Sequence, residues 1–190
     1  RMIRKQPMLL AGFVILGILD GLMAYAWERD YTLSRFSVIP HFFLMGMLVF
    51  VYNKDNVTRI LSGLLAGLVS ALFFQGAFWF DPLYFTAAAW LAGLAPGWSN
   101  SLRFSWLFFP LFAFGYDLLP WIWMRLFTPY NGSLLLWLWR METFSVLLSI
   151  LSLWVIRYAA DVMDRYFKII RIRQARADRK KLMHMHVSGR

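Results

Sequence analysis

Long apolar runs, almost free of charge and separated by short polar breaks, constrain this chain more than any other feature. The first runs from Pro7 to Trp27 with Asp20 inside, the second from Phe36 to Tyr52 with His41 inside, and the third from Ile60 to Phe80 with no charge at all. The fourth, Leu83 to Trp98, is short. The fifth, Phe104 to Leu126, contains Pro110, Asp117 and Pro120, and the sixth, Ser133 to Ile156, contains Arg140 and Glu142. A helix needs ~20 mostly apolar residues to cross ~30 Å of hydrocarbon. Barrel strands would alternate apolar and polar with period two, and these runs do not. The expectation is an all-α integral-membrane protein, a bundle of six transmembrane helices. Asn53 to Arg59, Asp81–Pro82, Gly97 to Arg103 and Thr128 to Gly132 are the breaks between spans. The last of these carries a turn mechanism, because Pro fixes φ and Asn-Gly tolerates positive φ.

Composition supports this reading. Hydrophobic residues make up 60% of the chain and charged ones 16%, and there is no Cys. A water-soluble domain usually carries about 25% charged residues. The missing Cys excludes disulfide scaffolds, thiolate nucleophiles and thiolate metal sites.

Orientation follows from Lys and Arg, which favour the cytoplasmic side. With the N-terminus inside, Arg1, Arg4, Lys5, Lys54, Arg59, Arg103 and the ten bases from Arg157 onward are cytoplasmic. Arg29, Arg35 and Arg125 lie outside, and Arg140 lies in the membrane. An N-in/C-in topology is expected, with residues 1–156 as the bundle and 157–190 as a basic helical tail. The net charge of +10 is then largely a property of that tail. Nucleic acid is not an expected partner, because no aromatics interleave the bases after Phe167 and no RNA-module signature is present. The basic start and Ala24-Tyr25-Ala26 imitate a cleavable leader. The apolar run is long for one and holds Asp20, so a retained first span is expected.

No Gly or Pro occurs from Leu134 to Ser188, so nothing local stops the sixth helix at the membrane surface. Asp161 with Arg165, and Asp164 with Lys168, are acid-first i,i+4 pairs that support a helix. Tyr158, Val162, Tyr166, Ile169 and Ile170 share a stripe. The helix is expected to continue to about Lys181. Its Arg165, Lys168, Arg171, Arg173, Arg176, Arg179, Lys180 and Lys181 form a basic surface for anionic lipid or a cytoplasmic partner.

Five polar residues fall in the outer half of the membrane: Asp20, His41, Asp117, Arg140 and Glu142. An unpaired charge at a helix centre costs ~2.5–3.5 kcal/mol on insertion scales. Asp20 or Asp117 is therefore expected to pair with Arg140. Arg140 and Glu142 are two residues apart, so they face different sides and need different partners. The cluster reads either as an outward-facing polar cavity or as a structural device that orders the helices.

Small residues mark close helix approach. Gly17-x-x-x-Gly21 and Gly63-x-x-x-Gly67 are the candidate docking faces, for a partner or for the bundle itself. Trp27, Trp79, Trp98, Trp106, Trp121 and Trp123 fall near helix ends, as in an interfacial belt.

Enzymatic motifs are missing: no HExxH, GxSxG or P-loop occurs. His184 and His186 lie in a polar tail without further ligands. Gly115-Tyr116-Asp117 is similar to the Tyr-Asp of intramembrane aspartyl proteases, but no second Asp stands in the required glycine setting. A non-enzymatic protein without cofactor or metal is expected.

The pattern resembles the MreD family of small polytopic membrane proteins. The likeness rests on the basic start and the first helix ending in Leu19-Asp20-Gly21. It continues through Ile39-Pro40-His41-Phe42-Phe43-Leu44, and through the inner loop ending in Arg59 before Gly63-Leu-Leu-Ala-Gly67-Leu68. It covers Lys5 to about Leu94, and the remainder in hydropathy. Many members carry an acid four residues after the second glycine; Ala71 stands there here. The resemblance implies a scaffold in the bacterial cell membrane, part of the cell-elongation and peptidoglycan-synthesis complex. It implies an MreC-like partner, through it a RodA-like polymerase and a class B penicillin-binding protein, and MreB inside. MreD is also similar in fold to the substrate-binding subunits of energy-coupling-factor vitamin transporters, so vitamin capture is the alternative expectation.

Overall fold

The computed structural model describes residues 5–27, 29–73, 79–93 and 102–188. All regular structure in them is helical: α1 Lys5–Ala26, α2 Phe42–Val51, α3 Asn56–Phe73, α4 Phe80–Leu91, α5 Leu102–Phe127, α6 Leu134–Trp137 and α7 Thr143–Ser188. A π-helical turn, Leu138–Glu142, joins α6 to α7 without a break. Three helices are long and apolar enough to cross a membrane: Pro7–Ala26, Asn56–Phe73 and the rod from Leu134 into α7. The rod runs past Lys181 to Ser188, further than expected. Gly97 to Arg103 and the end of the fourth run at Trp98 lie wholly or partly outside the described residues.

The turn between α2 and α3 is set locally. Asp55 Oδ2 accepts Thr58 N–H at 3.1 Å and Oδ1 accepts the Thr58 hydroxyl at 2.7 Å, an N-cap that starts α3. α3 then packs on α4 backbone to backbone. A Cβ at Gly63 would lie 2.8 Å from Phe85 O, and one at Gly67 would lie 2.7 Å from Asp81 O. Only glycine permits this approach. Asp81–Pro82 does not interrupt the chain as expected. It forms the first turn of α4, where Pro forfeits no intrahelical bond.

α2 is the centre of the bundle. Leu44, Met45, Met47, Leu48 and Val51 are fully buried, so it is apolar all round because it is enclosed all round. Phe13 of α1 meets Phe43 and Phe50 edge-on at 5.9 and 5.7 Å. The expected second span from Phe36 is shorter as a helix, because it starts only at Phe42. Pro40 disfavours helix at the residue before it and supplies no N–H. Residues 36–41 instead run against the π-helical turn and α7. There Ser37 N–H donates to Arg140 O (3.1 Å), and Ile39 N–H donates to the Ser145 hydroxyl (2.9 Å). Protein groups thus satisfy the N–H groups of Ser37 and Ile39 in this non-helical backbone.

A second, smaller core joins this segment to α5 and the rod: Leu33, Ile39, Trp121, Trp137 and Met141. Trp121 is buried here, its ring 5.7 Å from that of Trp137, and so does not join the expected interfacial belt. Trp27, Trp79 and Trp123 are exposed. Trp98 and the side chain of Trp106 lie outside the described residues.

Candidate functional site

The site begins with a helix that lacks its own cap. His41 stands at the N-cap of α2, yet its side chain makes no capping bond. The cap comes from α1: Asp20 Oδ1 and Oδ2 accept the N–H groups of Phe42 and Phe43, each at 2.8 Å. The carboxylate meets two orphan donors and the positive end of the helix dipole together.

This leaves the His41 imidazole available to α5. Its Nε2 lies 2.7 Å from Asp117 Oδ2, with both side chains buried. The Glu142 carboxyl, from the π-helical turn, lies against that of Asp117. It too is buried, and no N–H or O–H donor among the described residues reaches either of its oxygens. His41, Asp117 and Glu142 thus form a line from the start of α2 through α5 to the rod.

A second polar group adjoins the first. Asp81, at the start of α4, is fully buried; it accepts the Ser70 hydroxyl at 2.8 Å and the Tyr116 hydroxyl at 2.7 Å. The Tyr116 ring meets the His41 ring edge-on at 5.6 Å and the Tyr84 ring at 5.3 Å. The Tyr84 hydroxyl donates to Phe112 O at 2.6 Å. Asp81 was legible in the sequence only as part of a break. A clue lay in the Asp-Pro pair itself, which suits the first turn of a helix.

The expected pairing of Asp20 or Asp117 with Arg140 does not occur. Helix rotation turns Arg140 away from both acids, and its guanidinium donates to the carbonyls of Leu33 and Ser34 (2.9 Å to the latter). Arg140 and Glu142 do take different partners. Leu33 is the one described non-glycine residue at positive φ, 59°. Its burial and the Arg140 bond hold that conformation in place.

The expected docking glycines divide. Gly63 and Gly67 are occupied by α4 and offer no free face. Gly17 is buried and Gly21 half-buried, along the border between the bundle side of α1 and its exposed Val14, Ile18, Leu22 and Tyr25. In the tail, Arg165, Lys168, Arg171, Arg173 and Arg176 are exposed on α7. Arg179, Lys180 and Lys181 belong to the same helix, and their side chains lie outside the described residues.

A cavity of about 40 Å³ opens between Asp20, Arg29, His41, Ser70 and Tyr116. A water needs ~10–15 Å³ of such space, so the cavity holds about three. Asp117 and Glu142 do not line it, while His41 does. Among the described residues, no group of three His, Asp or Glu side chains is placed to hold a metal ion.

Fold and site together define a helical protein with three helices able to span a membrane and a polar network within its core. Comparison with family models, with curated proteins and with solved structures finds no match to this chain.

Proposed function

We propose that the chain is a non-enzymatic, MreD-like scaffold of the bacterial cell membrane. In this reading it crosses six times with both termini cytoplasmic. The second crossing combines α2 with the extended residues 36–41: ten helical residues rise about 15 Å and six extended ones add up to ~20 Å. The protein positions the wall-synthesis machinery of cell elongation by binding an MreC-like partner. A RodA-like polymerase and a class B penicillin-binding protein associate through that partner, and MreB filaments lie on the inner side.

The observation that carries the reading is that most of the core's polar groups, Glu142 excepted, are turned on one another. Asp20 caps α2, His41 holds Asp117, and Asp81 holds Ser70 and Tyr116. What remains is a cavity of water size, about 40 Å³. A small-molecule site normally offers ~300–1,000 Å³. A bundle stiffened in this way presents surfaces, and its exposed apolar face on α1 beside Gly17 and Gly21 suits a partner helix. The vitamin-capture alternative needs a larger pocket.

Affinity purification with an MreC-like protein, and depletion in cells, test the proposal. A stable complex, with cell rounding on depletion and no vitamin auxotrophy, is the expected result. Thermal stabilisation of the isolated protein by a vitamin at micromolar concentration would instead establish capture.

A further inference from the structure

Beyond the bundle, α7 carries two apolar faces where one would suffice. At 3.6 residues per turn, Ile156, Met163, Phe167 and Ile170 share one side; Phe167 is buried and the other three are half-buried. Tyr158, Val162, Tyr166, Ile169 and Ile172 share the opposite side, within an arc of about 120°. These five are 45–66% exposed. Arg165, Arg173 and Arg176 fall within the same arc, and Lys168 and Asp161 flank it.

Lipid accounts at most for the near end of this face, Tyr158 and Val162, and not for Tyr166, Ile169 and Ile172. Arg157 lies over the Tyr52 ring, 5.8 Å from its centroid, at the inner end of α2. Ile172 is fifteen residues further along an unbroken helix, about 22 Å along its axis. The headgroup layer beyond the hydrocarbon is only ~5–8 Å deep. A second copy does not account for it either, because a parallel pairing would set Arg165, Arg173 and Arg176 against their own counterparts. An isolated amphipathic helix with acidic flanks satisfies both the apolar stripe and its cations.

We propose that Tyr158, Val162, Tyr166, Ile169 and Ile172, with Arg165, Arg173 and Arg176, form a docking face for an acidic amphipathic helix of a protein partner. The face rests on α7 projecting clear of the bilayer and not on the identity of the wall-synthesis partners. Its failure would leave the scaffold reading standing.

The full chain in phosphatidylcholine nanodiscs tests this. The probe is a synthetic 21-residue helical peptide, with a leucine stripe flanked by glutamates, read by fluorescence anisotropy. Saturable binding that weakens as salt rises is expected. Ile169→Asp and Val162→Asp each weaken it at least ten-fold. The pair Arg173→Glu with Arg176→Glu weakens it similarly and reduces the salt dependence. All these positions are exposed, so circular dichroism and the melting midpoint of the variants stay unchanged. The same peptide with lysines in place of glutamates binds at least ten-fold more weakly. Absent binding, equal binding by Ile169→Asp, or equal binding of the lysine peptide overturns the proposal. So does Ile169-dependent flotation with phosphatidylglycerol vesicles, which assigns the face to lipid, or an Ile169-dependent dimer in sedimentation, which assigns it to a second copy.

Discussion

Asp20 and Phe42 are joined by a 2.8 Å hydrogen bond that makes one helix the cap of another: the carboxylate of α1 holds the first N–H of α2, and its second oxygen holds Phe43 N–H. Charged caps of this kind contribute about 2 kcal/mol. Asp20→Ala is expected to lower the melting midpoint by about 4–8 °C for a chain of this size. Asp20→Asn, which keeps one acceptor oxygen, should lose about half as much. Thermal unfolding in detergent, followed by circular dichroism, measures both. A midpoint indifferent to Asp20→Ala would mean that the cap carries no weight.

The line His41–Asp117–Glu142 makes unequal demands on its members. Removing one partner of a buried, hydrogen-bonded pair costs about 3–5 kcal/mol, so His41→Ala and Asp117→Ala should both reduce folded protein sharply. Glu142→Gln should not, because its amide places an N–H beside the Asp117 carboxylate, where no donor now reaches Glu142 itself. Membrane-fraction yield and melting midpoint decide this. Loss of the proposed partner binding in Glu142→Gln at normal yield would show that the carboxyl has a role beyond packing.

Two glycines offer a contrast. A Cβ at Gly67 would meet Asp81 O at 2.7 Å and Pro82 N at 2.8 Å, both backbone atoms with little freedom to move. Gly67→Ala is expected to cost about 2 kcal/mol or more by forcing α3 from α4. At Gly12 nothing lies within 4 Å, and Gly12→Ala should stabilise α1 by about 0.5–1 kcal/mol. Equal responses in a denaturant titration would contradict the close approach.

Arg140 ties the segment from Leu33 to Ser37 to the rod, since its side chain holds the carbonyls of Leu33 and Ser34 while its own carbonyl receives Ser37 N–H. Arg140→Ala should release that segment. Trypsin should then cleave the protein in detergent after the exposed Arg35 at least ten-fold faster than it cleaves the parent chain. Arg140→Lys, with one compact ammonium in place of a planar fork, should fall between the two.

The loop after α1 carries its own acid. Hydrogen bonds from the Ser34 and Thr32 hydroxyls, supported by the N–H groups of Arg35 and Thr32, hold the fully exposed Asp30 carboxyl well below the usual carboxylate range. A folded value below the unfolded one means that the stabilisation is complete above the ordinary carboxylate range and declines progressively as pH falls from that range toward the folded loop's own lower value. It is fully lost once stronger acid protonates the folded loop. An NMR titration of the Asp30 carboxyl carbon checks this, and a midpoint near 4 would refute it.

Helical class, apolar runs and several element starts are already determined by the sequence, because their causes act within three or four residues. Asp55 capping Thr58, the Ser133 side chain accepting Leu136 N–H at 3.2 Å, and the absence of Gly or Pro from Leu134 to Ser188 are all local. The glycine spacing in α3 likewise announced a close helix contact, though not that α4 would fill it.

The partners of the buried polar groups were decided only by tertiary structure. Asp117 and His41 are separated by 76 positions, Arg140 and Leu33 by 107. Which acid meets which base depends on how far each helix is rotated about its axis, and the π-helical turn alters that rotation between Trp137 and Thr143. The start of α2 at Phe42 rather than Phe36 has a local cause in Pro40 and a tertiary one in its cap, which lies on α1. Height along a helix follows from position along the chain, but facing direction does not, because a shift of one residue turns a side chain by about 100°.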